Sequence, residues 1–354
     1  MYSLNDYNYH LPAELIAQRP VDQRDRSNLL CLNRQTGDLM HHYFNAIGDF
    51  LQPGDVLVIN NTAVIPARLE GRKATGGKVE VLISDYIGGL KSIKQSGDFV
   101  CRCMVKASKR PAPGMLLYFA EDLKAEVLGA CNGTHTLKFS TSGDFEKVLE
   151  RIGKVPLPPY IKRNFGDLNP CDDRSSYQTV YASHKGAIAA PTAGLHFTEK
   201  LLNQLKADGI QIAALTLHVG YGTFLPVRTD DIRQHSIHSE PYAISEKTSE
   251  IINSARAGAK RVVAVGTTCV RTLEYASDAK GNVAAGSGCC DLYIYPGYEF
   301  KTVDAMITNF HLPQSTLLML VSAFAGRQNV LNAYQEAIDR NYRFYSYGDA
   351  MLII

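Results

Sequence analysis

The stretch RVVAVGTTCVRTL, at residues 261–273, contains the unit from which the fold is predicted. Its first five residues form a short apolar run typical of a buried strand, and Gly266 and two threonines then lead into a helix bearing Leu273. Similar strand-like runs, in regions where helical patterns alternate with strands, occur at 55–60, 210–219 and 303–307. Alternation of this kind predicts a mostly parallel sheet with flanking helices, whose ligand groups lie at the carboxyl ends of its strands.

The region between residues 65 and 145 has a different pattern, because nearly all of it reads as strands. Short strand-like runs separated by Gly-rich turns occur at 79–83, 99–106, 115–119, 123–128 and 134–139. Five short strands within about sixty residues predict a small antiparallel sheet or barrel. Apolar residues at helical spacing over 145–152 then predict one helix, which ends before the linker PLPP at 156–159.

Together the two patterns predict an α/β fold with an insertion. We expect a mostly parallel sheet with flanking helices, formed by residues 1–64 and 155–354 and interrupted by an inserted antiparallel β-barrel domain at 65–154. A chain of 354 residues with 45% hydrophobic and 20% charged residues has enough apolar surface for cores of this kind.

Charge and cysteine content limit the possible classes of protein. The 37 lysines and arginines nearly balance the 35 aspartates and glutamates, so the net charge of +2 does not by itself indicate a nucleic acid or membrane partner. The eight cysteines contain no CxxC pair, and we expect reduced thiols. Cys101 and Cys103 share one face of a predicted strand, where a metal is the less favoured alternative.

The sequence shows no targeting or membrane segment. The start MYSLNDYNYH lacks a basic region followed by an apolar run, as a secretory signal requires. The longest apolar stretch, at 316–325, is well short of the roughly 20 residues that span a bilayer. We therefore expect a soluble, cytoplasmic protein without a membrane partner.

Four polar turns at predicted strand ends are candidate binding elements, namely PTAGLHF (191–197), LHVGYGTF (217–224), VGTTCVR (265–271) and TNFHLP (308–313). Glycine lets a ligand approach the backbone, N–H groups at a helix start bind anions, and histidine exchanges protons near neutral pH. Each turn has a structural alternative: a capping turn, a packed core histidine, or an arginine paired on a solvated helix face. Because strand ends converge in such a sheet, a composite site is favoured over any single turn.

Basic residues in the region predicted as a barrel form a second candidate surface. They are Arg68, Arg72, Lys73, Lys78, Lys106, Lys109 and Arg110. Such a set either binds phosphates as a stripe or forms an ordinary solvated face.

His235 and His238, followed by Glu240, resemble a metal cluster only superficially. The two imidazoles are three residues apart, but the sequence offers no assigned third ligand. No metal site is therefore predicted.

Taken in order, many segments of this chain resemble the S-adenosylmethionine:tRNA ribosyltransferase-isomerase family of queuosine biosynthesis. Besides the four turns, they are LPAELIAQRP (11–20), LVINNTAVIPARLEGRK (57–73), PLPPYI (156–161), HSEPY (238–242), YIYPGY (293–298) and RFYSYGDAML (343–352). Two residues depart from the family pattern: Ala63 stands where arginine is frequent, and Tyr221 stands between the glycines where a small residue is usual.

The resemblance implies an α/β domain with an inserted β-barrel and an unusual use of S-adenosylmethionine. Its ribosyl part is transferred to 7-aminomethyl-7-deazaguanine at the wobble position of a tRNA with a GUN anticodon. Adenine and methionine leave, and the product is epoxyqueuosine-tRNA. S-adenosylmethionine is thus a ribosyl-donating co-substrate, no metal is involved, and a monomer is expected.

The implied chemistry needs a base and a proton donor in a water-poor pocket, because the sulfonium acidifies the ribose 5′ C–H and adenine must then depart. His196, His218 and His311 are the candidates for these proton transfers. The candidates for substrate contacts are Thr192, Gly194, Phe197, Gly220, Gly222, Thr223, Gly266, Thr267, Thr268, Arg271 and Asn309. Among these, Arg271 is the candidate for the methionine carboxylate. The candidates for RNA contacts are Arg68, Arg72, Lys73, Lys106, Lys109 and Arg110.

Two other functions remain open at the level of the sequence. An S-adenosylmethionine-dependent RNA methyltransferase would form S-adenosylhomocysteine, whereas ribosyl transfer forms free adenine and methionine. A non-catalytic RNA-binding protein would bind tRNA without turnover, and it leaves the histidine-bearing turns unexplained.

Overall fold

The computed structural model describes residues 2–120, 122–131, 133–163, 171–224 and 226–354. The strands are β1 (Asn28–Leu32), β2 (Leu39–Tyr43), β3 (Val56–Asn60), β4 (Thr62–Val64), β5 (Arg68–Lys73), β6 (Lys78–Ile83), β7 (Phe99–Ala107), β8 (Leu116–Tyr118), β9 (Lys124–Cys131), β10 (Thr134–Ser140), β11 (His184–Ala187), β12 (Gln211–Leu217), β13 (Glu240–Ile244), β14 (Val262–Val265), β15 (Gly286–Cys290), β16 (Ala305–Asn309) and β17 (Ala350–Ile353).

The α-helices are α1 (Tyr86–Ser96), α2 (Phe145–Ile152), α3 (Asp173–Ser176), α4 (Glu199–Ala207), α5 (Glu246–Ala257), α6 (Thr267–Ala276), α7 (Thr316–Ala325) and α8 (Arg327–Asp339). Short 3-10 turns occur at Leu4–Tyr7, Ala13–Leu15, Arg24–Arg26, Phe44–Phe50, Thr192–His196, Tyr221–Phe224 and Ile232–Gln234.

By its internal contacts the chain divides into two compact units. The first, here called the sheet unit, comprises Met1–Thr62, Pro159–His184 and Ala190–Ile354. The second, here called the barrel unit, comprises Ala63–Pro158 and Lys185–Ala189. The barrel unit is therefore made of two separate pieces of chain.

The sheet unit contains a nine-stranded sheet in the order β15-β13-β12-β3-β14-β16-β17-β1-β2. The four strands β12, β3, β14 and β16 run parallel to one another. β17 runs antiparallel to β16 but parallel to β1, and β2, β13 and β15 pair antiparallel at the two edges. The predicted fold class is confirmed, and its parallel strands lie at the centre of this sheet.

Alternate residues of the central strands form one side of the core. Leu57 and Ile59 of β3 and Val263 and Val265 of β14 belong to one apolar cluster with side chains from α4. Every residue of β3 is buried, as expected for a central strand covered on both faces. The apolar runs that predicted these strands are therefore explained by burial on two sides.

The barrel unit is built around a closed six-stranded barrel in the order β10-β7-β6-β5-β8-β9. Its neighbouring strands all pair antiparallel. Residues of alternating strand positions fill the interior together with Phe145, Val148 and Leu149 of α2. The predicted strand-rich insertion and the helix over 145–152 are confirmed.

Two elements of the barrel unit differ from the sequence-based prediction. Helix α1 occupies a region that was predicted to be almost wholly strand, because Asp85 caps its first turn and Gly97, with a φ of 79°, ends it. Strand β5, which supplies the sixth strand, has the charged sequence RLEGRK and therefore no apolar run. Leu69 is the one large apolar residue of β5, and it is buried in the barrel core.

Within the part of the chain that the structure describes, no helix is both long and apolar enough to cross a membrane.

Candidate active site

The four polar turns meet at one edge of the sheet unit, where the parallel strands end. Asn60, at the end of β3, donates from Nδ2 to the Leu217 carbonyl at 3.0 Å and to Thr268 Oγ1 at 3.4 Å. This amide therefore ties the end of β12 to the start of α6. The Gly266 N–H donates to the Ile307 carbonyl of β16 at 2.7 Å, which joins the third turn to the fourth.

The first turn also lies at this edge of the sheet, where it contacts Gly266 of the third turn and Asn309 of the fourth turn. Gly266 has a φ of 89°, which only glycine adopts readily, and a methyl group added there would lie 3.6 Å from the Ala193 side chain. Asn309, the last residue of β16, contacts the His196 ring at 3.1 Å. The convergence that strand order predicted is thus present among all four turns.

His196 is buried and both of its ring nitrogens are engaged. Nδ1 lies 2.8 Å from Ser27 Oγ, and Nε2 lies 3.1 Å from Asn309 Nδ2. Because an amide nitrogen can only donate, Nε2 is the accepting nitrogen and Nδ1 carries the proton. The ring stacks on Phe44 at 5.0 Å between centroids, and burial lowers the pKa of His196 to about 3, helped by the nearby Arg343 and Arg24. His196 is therefore neutral at pH 7.

Asn309 has one unpartnered acceptor inside this buried region. The residue is 2% exposed, and Nδ2 also donates to the Tyr345 carbonyl at 3.2 Å, whereas Oδ1 has no hydrogen-bond partner among the residues that the structure describes. Within the described part of the chain, the hydroxyls of Thr179 and Tyr181 are likewise buried and without hydrogen-bond partners. The Thr179 methyl group and the Tyr181 hydroxyl lie against Gly194, where the hydroxyl occupies the space that a side chain would need. Unsatisfied buried polar atoms are costly and often mark a site that binds a ligand.

Unlike His196, His218 has one ring nitrogen without a hydrogen-bond partner in the part of the chain that the structure describes. Its Nδ1 lies 2.9 Å from Thr62 Oγ1, whose hydroxyl donates to the His184 carbonyl at 3.4 Å. The hydroxyl proton is used there, so His218 Nδ1 donates to Thr62 and Nε2 carries a lone pair. Burial, and then the neighbouring His184, lower the pKa of His218 to about 4. This imidazole is half-buried and neutral at pH 7, so Nε2 can accept a proton.

His311 is buried in the turn that follows β16. Nε2 lies 2.9 Å from Thr308 Oγ1, and its backbone N–H donates to the Tyr334 hydroxyl at 2.9 Å. The Tyr9 hydroxyl donates to its carbonyl oxygen. Burial lowers the pKa of His311 to about 3.

Arg271 forms a buried ion pair rather than facing an open pocket. Its Nη1 lies 2.7 Å from Glu240 Oε2, and the two side chains are 3% and 4% exposed. The guanidinium also donates to the carbonyls of Leu292 at 2.9 Å and Cys290 at 3.3 Å. Glu240 Oε1 in turn accepts from the Gly220 N–H at 2.8 Å. The pair therefore fixes the backbone of the second turn.

The other residues predicted to contact substrate differ in their surroundings. Phe197 is fully buried with its ring edge on Phe44, at 4.9 Å between centroids, so it supports the first turn from the core. Thr267 is buried at the start of α6, and Thr192 is half-buried. Gly222 lies against the His238 ring. The side chain of Thr223 lies outside the described part of the chain.

The basic residues of the barrel unit do not all share one face. Arg72, Lys106, Lys109 and Arg110 are all exposed. Arg68 forms an ion pair with Glu80 at 2.7 Å. Lys73 is 8% exposed and its Nζ donates to the Lys109 carbonyl at 3.0 Å, so this ammonium group stabilises the fold and does not lie on the outer surface.

Among the residues described, no group of three or more His, Cys, Asp or Glu side chains is arranged to hold a metal ion. Cys101 and Cys103 lie 3.6 Å apart between sulfurs, among the apolar side chains of the barrel interior.

Several residues that organise this site were missed in the sequence. Ser27, Thr62, Thr179 and Glu240 contact the predicted turns, but each lies outside those turns in the sequence. Thr62 and Glu240 lie in the quoted motifs LVINNTAVIPARLEGRK and HSEPY, whereas Ser27 and Thr179 lie in none of them.

Comparison with known proteins gives a consistent result. Residues 4–353 match the family described as queuosine biosynthesis protein. The chain is 51% identical over 352 residues to the S-adenosylmethionine:tRNA ribosyltransferase-isomerase of Syntrophotalea carbinolica, covering 99% of both. It is 52% identical over 351 residues to the enzyme of that name from Geotalea uraniireducens, again covering 99% of both. The crystal structure of S-adenosylmethionine tRNA ribosyltransferase from Thermotoga maritima is similar with a TM-score of 0.55 and 38% identity, covering 99% of this chain and 100% of that chain.

Proposed function

The chain belongs to the queuosine biosynthesis family of S-adenosylmethionine:tRNA ribosyltransferase-isomerases, and from this premise we propose how its residues carry out the reaction. The enzyme transfers and isomerises the ribosyl part of S-adenosylmethionine onto 7-aminomethyl-7-deazaguanine at the wobble position of tRNA. Adenine and methionine leave, and epoxyqueuosine-tRNA is formed. We place this activity in the cytoplasm with its tRNA substrate.

The base that starts the reaction is His218. The sulfonium of S-adenosylmethionine acidifies the ribose 5′ C–H, and a neutral imidazole with a free nitrogen can remove this proton. His218 Nε2 has its lone pair available because Nδ1–H is bonded to Thr62 Oγ1 at 2.9 Å. The lowered pKa of His218, about 4, keeps the imidazole unprotonated at neutral pH.

His196 and His311 have positioning roles at the ends of the neighbouring elements. Both nitrogens of His196 are hydrogen bonded, which fixes the ring and orients the Asn309 amide so that no described residue is a partner for Oδ1. A ligand N–H would satisfy Oδ1, and the hydroxyls of Thr179 and Tyr181 would take further polar groups of a nucleoside. The single observation that carries this assignment is the convergence of four motif-bearing turns around unpartnered buried polar atoms.

The barrel unit provides the contacts to RNA phosphates in this proposal. Its exposed cations Arg72, Lys106, Lys109 and Arg110 are the candidates, since Lys73 is buried and Arg68 is paired with Glu80. The wobble base is reached in a single-stranded anticodon loop, where it can be unstacked into a pocket.

The test is incubation with S-adenosylmethionine radiolabelled in the ribose and tRNA that carries the deazaguanine precursor, followed by nucleoside and small-molecule analysis. We expect label in epoxyqueuosine together with equal amounts of free adenine and methionine. S-adenosylhomocysteine with a methylated nucleoside would instead support the methyltransferase. Tight tRNA binding without any product would support a binding protein.

A further inference from the structure

The amino-acid end of S-adenosylmethionine needs a cationic partner that Arg271 does not offer. This inference rests on the function proposed above, in which S-adenosylmethionine is the co-substrate. The Arg271 guanidinium is occupied by Glu240, at 2.7 Å, and by the backbone carbonyls of Leu292 and Cys290. A methionyl carboxylate therefore requires another positively charged group near the converging turns.

A cavity of ≈ 460 Å³ in the sheet unit lies beside the second turn. Its walls come from the second turn, the segment that follows it and the start of α7, and they are formed by Gly222, Pro226, Arg228, Thr229, Gln234, His235, Ser236, Ile237, His238 and Thr316. α7 follows the fourth turn, so two of the four candidate turns lead directly into this cavity. Its volume is sufficient for an amino-acid group and part of a ribose.

The lining of the cavity is suited to a carboxylate. Arg228 is exposed to it and has no ion-pair partner among the described residues, and the described lining contains no Asp or Glu side chain. The Thr229 hydroxyl is buried and has no hydrogen-bond partner in the described ranges of the chain. Thr316 is the first residue of the ten-residue helix α7, whose N-terminal N–H groups favour a negative charge. Along the chain the nearest acidic residues are Asp230, which is exposed and does not line the cavity, and Asp231, which is paired with Arg233 at 2.7 Å.

The same cavity offers acceptors for the α-ammonium group. His235 packs its ring edge against Tyr293, at 5.4 Å between centroids. Burial, and then the nearby His238, lower the pKa of His235, so its imidazole is neutral at pH 7 and has one nitrogen that accepts a hydrogen bond. The carbonyl oxygen of the Gln234 side chain is a second acceptor at the same wall.

We propose that this cavity binds the zwitterionic methionyl end of S-adenosylmethionine, with Arg228 as the contact for the carboxylate and with His235 and Gln234 beside the ammonium group. A charge-assisted hydrogen bond of this kind is worth a factor on the order of 10 to 100 in binding. Arg228 is therefore a specificity residue that distinguishes the intact co-substrate from one without a carboxylate.

The experiment compares binding of S-adenosylmethionine with that of decarboxylated S-adenosylmethionine by isothermal titration calorimetry. The proteins are the wild type, Arg228→Gln, Arg228→Lys and the matched control Arg233→Gln, an exposed arginine of the next turn paired with Asp231. We expect the wild type and the control to prefer the carboxylate by at least about 10-fold. Arg228→Gln should lose this preference while binding the decarboxylated compound as the wild type does, and Arg228→Lys should retain part of it.

Preference for the carboxylate that persists unchanged in Arg228→Gln would overturn the proposal. The proposal would also be overturned if Arg228→Gln lost only its affinity for tRNA, because the cavity would then bind an RNA phosphate. Adenine release by the wild type separates the failure of this proposal from the failure of the proposed function. If the wild type releases adenine and Arg228→Gln keeps the preference for the carboxylate, only the cavity assignment is rejected. If the wild type does not bind S-adenosylmethionine, both the cavity assignment and the proposed function are rejected. Thermal unfolding of each variant tests that the exposed substitutions leave the fold intact.

Discussion

His196 and His311 are buried as neutral imidazoles, and this links the stability of the protein to pH. Each has a pKa lowered by burial to about 3, whereas a histidine in the unfolded chain titrates near about 6.5. Between these values the unfolded state binds more protons than the folded state. Stability therefore falls as the pH falls from about 6.5 toward 3, and it does not depend on these two groups above that range.

We predict a loss of about 2 kcal/mol per buried histidine when the pH is lowered from 7 to 5. The measurement is the free energy of unfolding, determined by urea denaturation at several pH values. The slope of this free energy against pH gives the number of protons taken up on unfolding. His311→Asn should reduce that slope by one proton. Phe310→Leu, a neighbouring substitution without a titrating group, should lower stability equally at every pH. An unchanged slope in His311→Asn would mean that this imidazole is already protonated in the folded protein.

His218 is the residue on which the proposed chemistry depends most directly. Replacing it with glutamine keeps a polar side chain but removes the base, so we expect adenine release to fall by about 10²–10⁴-fold. Binding of S-adenosylmethionine, measured separately, should change little. Because the pKa of His218 is lowered to about 4, the wild-type rate should show no histidine titration between pH 6 and 8.

Thr62→Val is the matched variant for this prediction, since it removes the hydroxyl that orients His218 without touching the base itself. It should lower the rate less than His218→Gln does. Full adenine release by His218→Gln would show that the proton is removed by another group.

At the scale of elements, the Glu240–Arg271 pair joins strand β13 to helix α6 and also fixes the second turn. Removing one partner of a buried ion pair leaves an uncompensated charge and costs about 3–5 kcal/mol. We predict this loss for Arg271→Met, measured by chemical unfolding. The Gly220 N–H would then lose the fixed position of its acceptor, so the KM for S-adenosylmethionine should rise as well.

The double variant Glu240→Gln, Arg271→Met provides the control. It removes both charges, so it should be more stable than Arg271→Met alone. Because the amide oxygen of glutamine can still accept from Gly220, the KM should recover in part. Additive losses of stability would show that the two side chains act independently.

The sequence predicted those elements whose own residues carry a periodic signal. Helix α2 was predicted with its observed bounds because its apolar residues repeat at helical spacing and a linker follows it. Helix α1 was missed because Gly88 and Gly89 interrupt its first turn, and Gly89 is needed where the helix packs closely on Phe99. β5 was missed because its alternate residues are charged and face outward.

The same distinction applies to the candidate site. The turns with histidine and glycine were found because strand order alone brings their ends to one edge. The sequence did not predict the hydrogen-bond partners that set the tautomer of each histidine. Ser27 lies 169 residues from His196, and Thr62 lies 156 residues from His218. Nor does the sequence reveal that Glu240 is the ion-pair partner of Arg271, because 31 residues separate the two and no local pattern links them.

At the scale of the whole molecule, the two units have different electrostatic tasks in the proposed function. The sheet unit holds neutral buried histidines and a neutralised ion pair, as suits a water-poor pocket. The barrel unit carries exposed cations although the chain as a whole has a net charge of only +2. Affinity for RNA must therefore arise from the local arrangement of these cations rather than from the overall charge.

Substituting Arg72, Lys106, Lys109 and Arg110 by alanine should consequently weaken tRNA binding while leaving the affinity for S-adenosylmethionine unchanged. Each phosphate contact that is lost should flatten the dependence of log K on log salt by about 0.7–0.9, because fewer counterions are released on binding. Lys138→Ala is the control, since this lysine of the same barrel is held by Asp98 at 2.6 Å. Fluorescence anisotropy over a salt series measures both quantities. If the fourfold variant keeps the wild-type slope, these cations form only a solvated face and the RNA is bound by other residues.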